Sequence, residues 1–204
     1  RIHRDGGAWT VAETYLAEAA RAYPRDGKVR LAELEHYALT GDHAAFEAAL
    51  ARETTGGGPP WATHTGHAQV WRGVEAIRRA RLAEGASLLE AYLGGDAHRA
   101  EDPPFRLMVV SHLLAALDGL GRKDAFDRWR AIGERWAREA RAQGWGSRDY
   151  ELQEGFLLSA AGEIDAAVER FRAAAALGGL ALAPLREDPR LAAMRETGRL
   201  SELG

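Results

Sequence analysis

The chain has 204 residues, a formal net charge of −3 and 46% hydrophobic residues, which is typical of a globular protein with a sizeable core. It contains no Cys and no Asn, which excludes disulfides, thiol nucleophiles, iron–sulfur clusters, zinc held by cysteine and N-glycosylation. The slightly acidic balance argues against a general nucleic-acid-binding protein, and no apolar run approaches the ~20 residues needed to span a bilayer.

The first predicted element is a helix that follows Gly7 and ends before Pro24. Ala12, Leu16 and Ala19 recur at helical spacing along it. Because the chain starts close to Gly7, we interpret this helix as the second half of an incomplete helical hairpin. The apolar face that such a hairpin leaves open makes self-association one possible function of this end.

A pattern of helix, glycine with a polar neighbour, and Ala-rich helix then recurs along the chain. Glycine ends a helix readily because it adopts left-handed dihedral angles at little cost. The candidate turn glycines are spaced by 34, 44, 36 and 41 residues: Gly7, Gly41, Gly85, Gly121 and Gly162. Spacing near 34 with longer outliers predicts a stack of helix–turn–helix units with loop insertions.

Two loops interrupt this stack, one near 54–63 and one at 94–104. The first contains three Gly and two Pro in succession, which neither a helix nor a strand tolerates. Each loop precedes a long predicted helix, over 65–83 and over 105–117. Neither loop is long enough to be a clear linker, so we expect a single domain over residues 1–204.

The clearest unit is Tyr150–Gly178, in which Gly162 and Glu163 form the turn between two helices. Its second helix presents one continuous apolar stripe, and these residues are Ile164, Ala167, Val168, Phe171, Ala174 and Ala175. Trp129 and Trp136 lie seven residues apart on the face of an earlier helix and predict another buried seam. Trp61 and Trp145 adjoin loop glycines and are candidate contact residues.

The C-terminal segment 180–204 has a signal of its own. Asp188 followed by Pro189 is typical of a helix start, with an N-cap side chain and a proline in the first turn. Leu191, Met194, Leu200 and Leu203 follow, and we expect them to cover the last apolar face of the stack, as terminal repeats must.

The glycines and small residues of these units resemble the tetratricopeptide repeat family. The resemblance covers Gly7–Pro24 and Tyr150–Gly178 well, with Gly155, Gly162 and Ala167 at family positions, and the units between them less well. It implies an all-α fold, a right-handed α-solenoid of about five antiparallel helix hairpins, the first incomplete, with a C-terminal capping helix.

In such a solenoid the first helix of each hairpin lines a concave groove. The groove residues that the resemblance implies are Lys28, Glu35, Arg72, Glu75, Arg79, Met108, Ser111, His112, Gln153 and Phe156. Arginines at its centre suit an acidic peptide or a C-terminal carboxylate, and the alternative is a solvated charged face. The peptide clamp of chaperone-binding family members is unexpected, since it needs Lys and Asn at set positions.

The candidates for chemistry are few. His64 and His67 would share a helix face, but a catalytic zinc wants a third protein ligand, and no acidic residue stands at the right spacing. Ser111 and His112 are adjacent in sequence, and on a helix they point about 100° apart, which does not suit a nucleophile and its base. Phosphate-binding glycine loops are missing, and we expect no cofactor.

We therefore expect a non-catalytic scaffold that binds another protein or peptide, with no nucleic-acid or membrane partner. One alternative is the C-terminal sensor half of a larger bacterial regulator, which the Asp-Pro-Arg tail resembles and the start at Arg1 favours. Another is a small-ligand or metal-binding protein that uses His64, His67, Arg72 and His112. No signal peptide is visible, and we expect a cytoplasmic location by default.

Overall fold

The structure, a computed structural model, describes residues 9–23, 26–55, 65–178 and 187–203. Every regular element in these ranges is helical. The α-helices are α1 (Trp9–Ala22), α2 (Gly27–Thr40), α3 (His43–Thr55), α4 (Thr65–Arg78), α5 (Leu82–Gly94), α6 (Pro103–Gly119), α7 (Lys123–Ala142), α8 (Arg148–Ala160), α9 (Ile164–Ala176) and α10 (Ala192–Glu196). Short 3₁₀ turns are Ala97–Ala100, Pro189–Leu191 and Arg199–Leu203.

Some residues that the sequence singled out lie outside these ranges. They are Gly7, Pro24, Trp61 and His64. Most of the predicted 54–63 loop and the first part of the capping segment lie outside them as well. We use the name C-terminal segment for residues 187–203, which are the part of the predicted capping segment that the structure describes.

Polar side chains begin several of the helices at the places that their sequence favours. Asp102 caps α6, its Oδ1 accepting the Phe105 N–H at 3.0 Å, and Pro103 follows in the first turn. Ser147 caps α8 by accepting the Tyr150 N–H at 3.3 Å. These caps satisfy backbone donors that have no partner within the helix.

The turn between α4 and α5 lies at Ala80, and the prediction that Gly85 forms it is wrong. Ala80 takes the left-handed conformation, with φ of 58°, that glycine ordinarily occupies. Gly85 is buried inside α5 instead. A Cβ atom at that position would lie 2.4 Å from Ile77 Cγ1, so this glycine allows α4 and α5 to pack closely.

With Ala80 in this role, the turns follow a nearly regular period. Gly41, Ala80, Gly121 and Gly162 all have positive φ and lie 39, 41 and 41 residues apart along the chain. They join α2 to α3, α4 to α5, α6 to α7 and α8 to α9. The turns predicted at Gly41, Gly121 and Gly162 are confirmed, and the described period is close to 40 residues instead of 34.

Two of these helix pairs repeat one packing arrangement. Gly73 and Gly155 each precede the turn residue of their pair by seven positions. A Cβ atom on Gly73 would lie 2.7 Å from the Leu89 side chain, and one on Gly155 would lie 2.9 Å from the Phe171 ring. Leu89 and Phe171 each follow the turn by nine positions, so equivalent residues meet in the α4–α5 and α8–α9 pairs.

Helix α6 lies at the centre of the molecule and is buried along most of its length. It contacts α5, α7 and α8, while α2 contacts both α3 and α4. In α7, Trp129 and Gly133 are buried and Trp136 is partly buried against the core, as the predicted seam requires. Trp145 is also partly buried against the core.

The C-terminal segment closes a second apolar cluster beside α8 and α9. Leu191 and Met194 are fully buried in it together with Phe156 and Phe171, and the tail leucines pack at its edge. Leu191 and Met194 therefore cover the apolar side chains of Phe156 and Phe171, and that the segment caps a stack of repeats stays a prediction. The segment thereby also reaches the side of α6 and α8.

Candidate functional site

The ten side chains predicted to line a groove do not form one open surface. Three of them are exposed: Lys28, Arg72 and Arg79. Two are partly exposed: Glu35 and Gln153. Five are buried: Glu75, Met108, Ser111, His112 and Phe156. Burial of half the set means that other parts of the chain already occupy much of the predicted groove.

Glu75 lies at the centre of a group of polar side chains between α3 and the α4–α5 turn. Its carboxylate accepts a hydrogen bond from Arg81 Nη2 at 2.6 Å, and it lies 3.0 Å from His43 Nδ1 and 3.5 Å from Arg79 Nη1. Glu75 is therefore buried between α3 and the turn, and its side chain does not line an open groove. Arg72 is exposed and forms no ion pair within the described part of the chain.

Arg190 of the C-terminal segment brings three of the predicted groove residues together. Its guanidinium carbon lies 3.7 Å from the centre of the Phe156 ring. Its Nη1 donates to Ser111 Oγ and to Gln153 Oε1, both at 3.3 Å. The Ser159 hydroxyl donates to the Arg190 carbonyl at 2.8 Å, so side chain and backbone are both held.

Asp188 supplies the negative charge for Arg190. Its two carboxylate oxygens accept from Arg190 Nε at 2.9 Å and Nη2 at 2.8 Å, a bidentate arrangement. The same carboxylate caps the 3₁₀ turn by accepting the Arg190 backbone N–H at 3.0 Å, and Arg195 donates to the Asp188 carbonyl at 2.7 Å. Burial by itself would raise the pKa of Asp188, but the charge and hydrogen bonds of Arg190 hold that pKa well below its usual range.

Two further polar groups face this buried pair. Arg78, at the end of α4, lies 3.7 Å from Asp188 Oδ2, and its burial lowers the pKa of its guanidinium while Asp188 raises it. His112 is fully buried, and neither ring nitrogen has a hydrogen-bond partner among the residues that the structure describes. Burial and the nearby Arg190 charge lower the pKa of His112 well below 6.5, against the opposing effect of Asp188, and Arg78 lowers it further. The imidazole is therefore neutral at pH 7.

Sequence reasoning predicted Ser111, Gln153 and Phe156 as neighbours but missed the residues that join them. Asp188 was interpreted only as a helix cap, which it is, and Arg190 and Arg78 were not singled out. Arginines are usually exposed, so composition gives no reason to place two of them inside. The available signal was the Asp-Pro-Arg sequence itself, in which an acid and a guanidinium stand two residues apart on a preformed turn.

The histidines named for a ligand or metal site do not come together. His67 pairs with Glu101 at 2.6 Å and lies against the Phe105 ring, with centroids 4.6 Å apart. His112 instead faces Asp188 and Arg190. Among the described residues, no group of three or more His, Asp or Glu side chains is arranged to hold a metal ion.

The arrangement around Arg190 holds a guanidinium. It combines an aromatic platform, a hydroxyl and an amide oxygen for a guanidinium, with a carboxylate as counter-charge.

Within the described part of the chain, no helix is both long and apolar enough to cross a membrane. Comparison with known protein families, with curated proteins and with solved structures finds no match.

Proposed function

We propose that this chain is a non-catalytic scaffold that binds a protein or peptide segment. In this proposal it is a right-handed α-solenoid of the tetratricopeptide type, with α2, α4, α6 and α8 as the inner helices. Solenoids of this kind present an extended concave surface, and their ligands are commonly peptides.

The regular turns support the repeat part of the proposal. The left-handed residues at 41, 80, 121 and 162 divide the described chain into units of similar length. Gly73 and Gly155 stand at equivalent places in two of these units and receive equivalent side chains. Repetition of one local contact is what a shared ancestral unit predicts, and two unrelated helix pairs would have little reason to show it.

The observation that carries the binding part is the peptide segment already seated on α6 and α8. Residues 188–190 lie there in a short turn, held by Ser111, Gln153 and Ser159 through side-chain hydrogen bonds. A surface that holds a turn of its own chain through side-chain anchors has the chemistry needed to hold a turn of a partner.

Arg72 and Lys28 give the remaining inner helices a preference for acidic partners. Both are exposed, and neither forms an ion pair within the described ranges. Most other arginines within the described ranges form an ion pair, for example Arg122 with Glu90 at 3.0 Å and Arg130 with Glu134 at 2.7 Å. An unpaired guanidinium is available for a carboxylate of the ligand.

The test is fluorescence anisotropy with labelled peptides that differ only in charge, measured at low and at physiological salt. We expect acidic peptides to bind most tightly, and binding to weaken as salt rises. Arg72→Glu should weaken acidic-peptide binding at least about tenfold, since it replaces an attraction by a repulsion. Partner capture from a lysate, compared between the same two proteins, extends the test to whole proteins.

Arg138→Glu is the matched control. Arg138 is 71% exposed on α7, outside the proposed inner helices, and lies 3.9 Å from Glu134. Its charge reversal changes the net charge of the protein as much as Arg72→Glu does. Equal loss of binding in both variants, or no binding by any peptide of the panel, contradicts the proposal.

A further inference from the structure

Among the described residues, the groups of α6 and α8 that hold the Arg190 guanidinium (its seat) include no acidic side chain. Ser111 and Gln153 accept its hydrogen bonds and Phe156 lies under it, and all three are uncharged. Its counter-charge comes from Asp188, two residues earlier in the same segment. A ligand of this seat must therefore bring an arginine together with its own carboxylate.

We propose that Ser111, Gln153 and Phe156 form an arginine-recognition site, and that a partner protein engages it with an Asp-Pro-Arg segment that replaces residues 188–190. This inference deepens the proposed peptide-scaffold function and rests on it. The ligand class is a short turn with no net charge, in contrast to the acidic peptide expected at Arg72.

Each residue of such a segment has a defined task. The aspartate caps the turn by accepting the Arg190 backbone N–H at 3.0 Å, and it also binds the guanidinium. Proline in the first position has its φ fixed near the helical value, which lowers the entropy cost of forming the turn. Arginine fits better than lysine because its planar group both stacks on Phe156 and donates several hydrogen bonds at once.

Residues 188–190 act as a built-in competitor for this site. They are covalently attached, so their effective concentration at the site is high and an added peptide must displace them. A full-length Arg190→Ala variant removes the guanidinium and so weakens the hold of the chain's own segment on the site. We expect this variant to bind a peptide of residues 187–198 at least tenfold more tightly than the unmodified chain does.

The absence of cysteine from the sequence provides a direct reporter. Ser159 is fully buried beneath the segment, so Ser159→Cys introduces the single thiol of the chain at the seat. We expect Arg190→Ala to speed alkylation of this thiol at least tenfold. The 187–198 peptide should then slow alkylation again, and peptides with Arg→Ala or Asp→Asn at the positions of Arg190 and Asp188 should not.

Phe156→Leu in the same background should abolish the protection by the arginine peptide. Equal protection by the Arg→Ala peptide, or no protection by any peptide, overturns the inference. Helical content by circular dichroism identifies a variant that fails to fold, in which case Arg190→Lys replaces Arg190→Ala with the same expected order of peptides. If acidic peptides still bind through Arg72 while the Asp-Pro-Arg peptide gives no protection, this inference fails and the scaffold proposal stands.

Discussion

At the scale of single residues, His112 makes the stability of the protein depend on pH. The unfolded chain takes up a proton at this side chain near its ordinary pKa of 6.5, while burial and Arg190 hold the folded pKa well below that value. The contribution of neutral His112 to the unfolding free energy is therefore fully present well above pH 6.5 and is lost as the pH drops below that value. From about pH 7.5 to about pH 5.5 we expect His112 to cost about 1.4 kcal/mol of unfolding free energy, measured by urea denaturation.

His112→Leu isolates this contribution from that of the other histidines. Leucine has a similar size and no charge, and the groups that face position 112 (Arg190, Asp188 and Arg78) stay in place. The difference in unfolding free energy between the two pH values should be smaller in the variant by the amount expected for His112. An identical pH dependence in both proteins would show that the histidine is charged, or solvated, in the folded state.

The sequence could identify the members of this site more readily than their partner. Ser111 and His112 are close in sequence, and Gln153 and Phe156 share a helix, so the helical period and the family resemblance were enough to name them. What joins Ser111, Gln153 and Phe156 is Arg190, which follows Ser111 by 79 positions. Helical periodicity relates residues that are near in sequence, and no pattern of that kind links α6 to the C-terminal segment.

At the scale of elements, one substitution in the α4–α5 turn should stabilise the protein. Ala80 pays a steric cost at φ of 58° that glycine does not pay. We expect Ala80→Gly to raise the unfolding free energy by about 0.5–1 kcal/mol, since relief of strain outweighs the greater freedom of glycine in the unfolded chain. Urea denaturation measures this change.

Gly121→Ala is the reciprocal variant. Gly121 has φ of 65°, and a Cβ atom there would meet nothing within 4 Å. The substitution therefore adds no steric clash with other residues and changes only the energetic cost of the left-handed backbone conformation. It should lower stability by about 1 kcal/mol. Opposite signs in the two variants support a common turn geometry, whereas a loss of stability on Ala80→Gly would contradict the strain at Ala80.

The same turn shows why one repeat unit was hard to recognise from sequence. Glycine is the usual sequence marker of such a turn, because it adopts the left-handed conformation most easily. Ala80 adopts it without that signal, and the nearby Gly85 was assigned to the turn instead. Counted from Ala80, Gly85 and Leu89 occupy the positions that Ala167 and Phe171 occupy after Gly162, and the apparent irregularity of this unit disappears.

At the scale of the whole molecule, the C-terminal segment forms a buried ion pair within itself and an exposed ion pair with α9. Asp188 and Arg190 form the buried pair, with 0% and 2% exposure. Asp165 of α9 and Arg199 of the segment form the exposed one at 2.7 Å, and Asp165 is 88% exposed. The buried pair holds the turn that places Arg190 on α6 and α8, whereas the exposed pair joins the surface of the segment to α9.

Asp188→Ala should lower the unfolding free energy by about 3–5 kcal/mol, because it leaves a guanidinium buried without its counter-charge. Asp165→Ala should change it little, because water and salt screen an exposed pair. Urea denaturation of both variants measures the difference. A truncated chain that ends before Pro184 should have a melting temperature lower by several degrees, since it lacks Leu191 and Met194, which cover Phe156 and Phe171. If Asp188→Ala were as mild as Asp165→Ala, the buried pair would not hold Arg190 in its place on α6 and α8, and the arginine site would lose its structural basis.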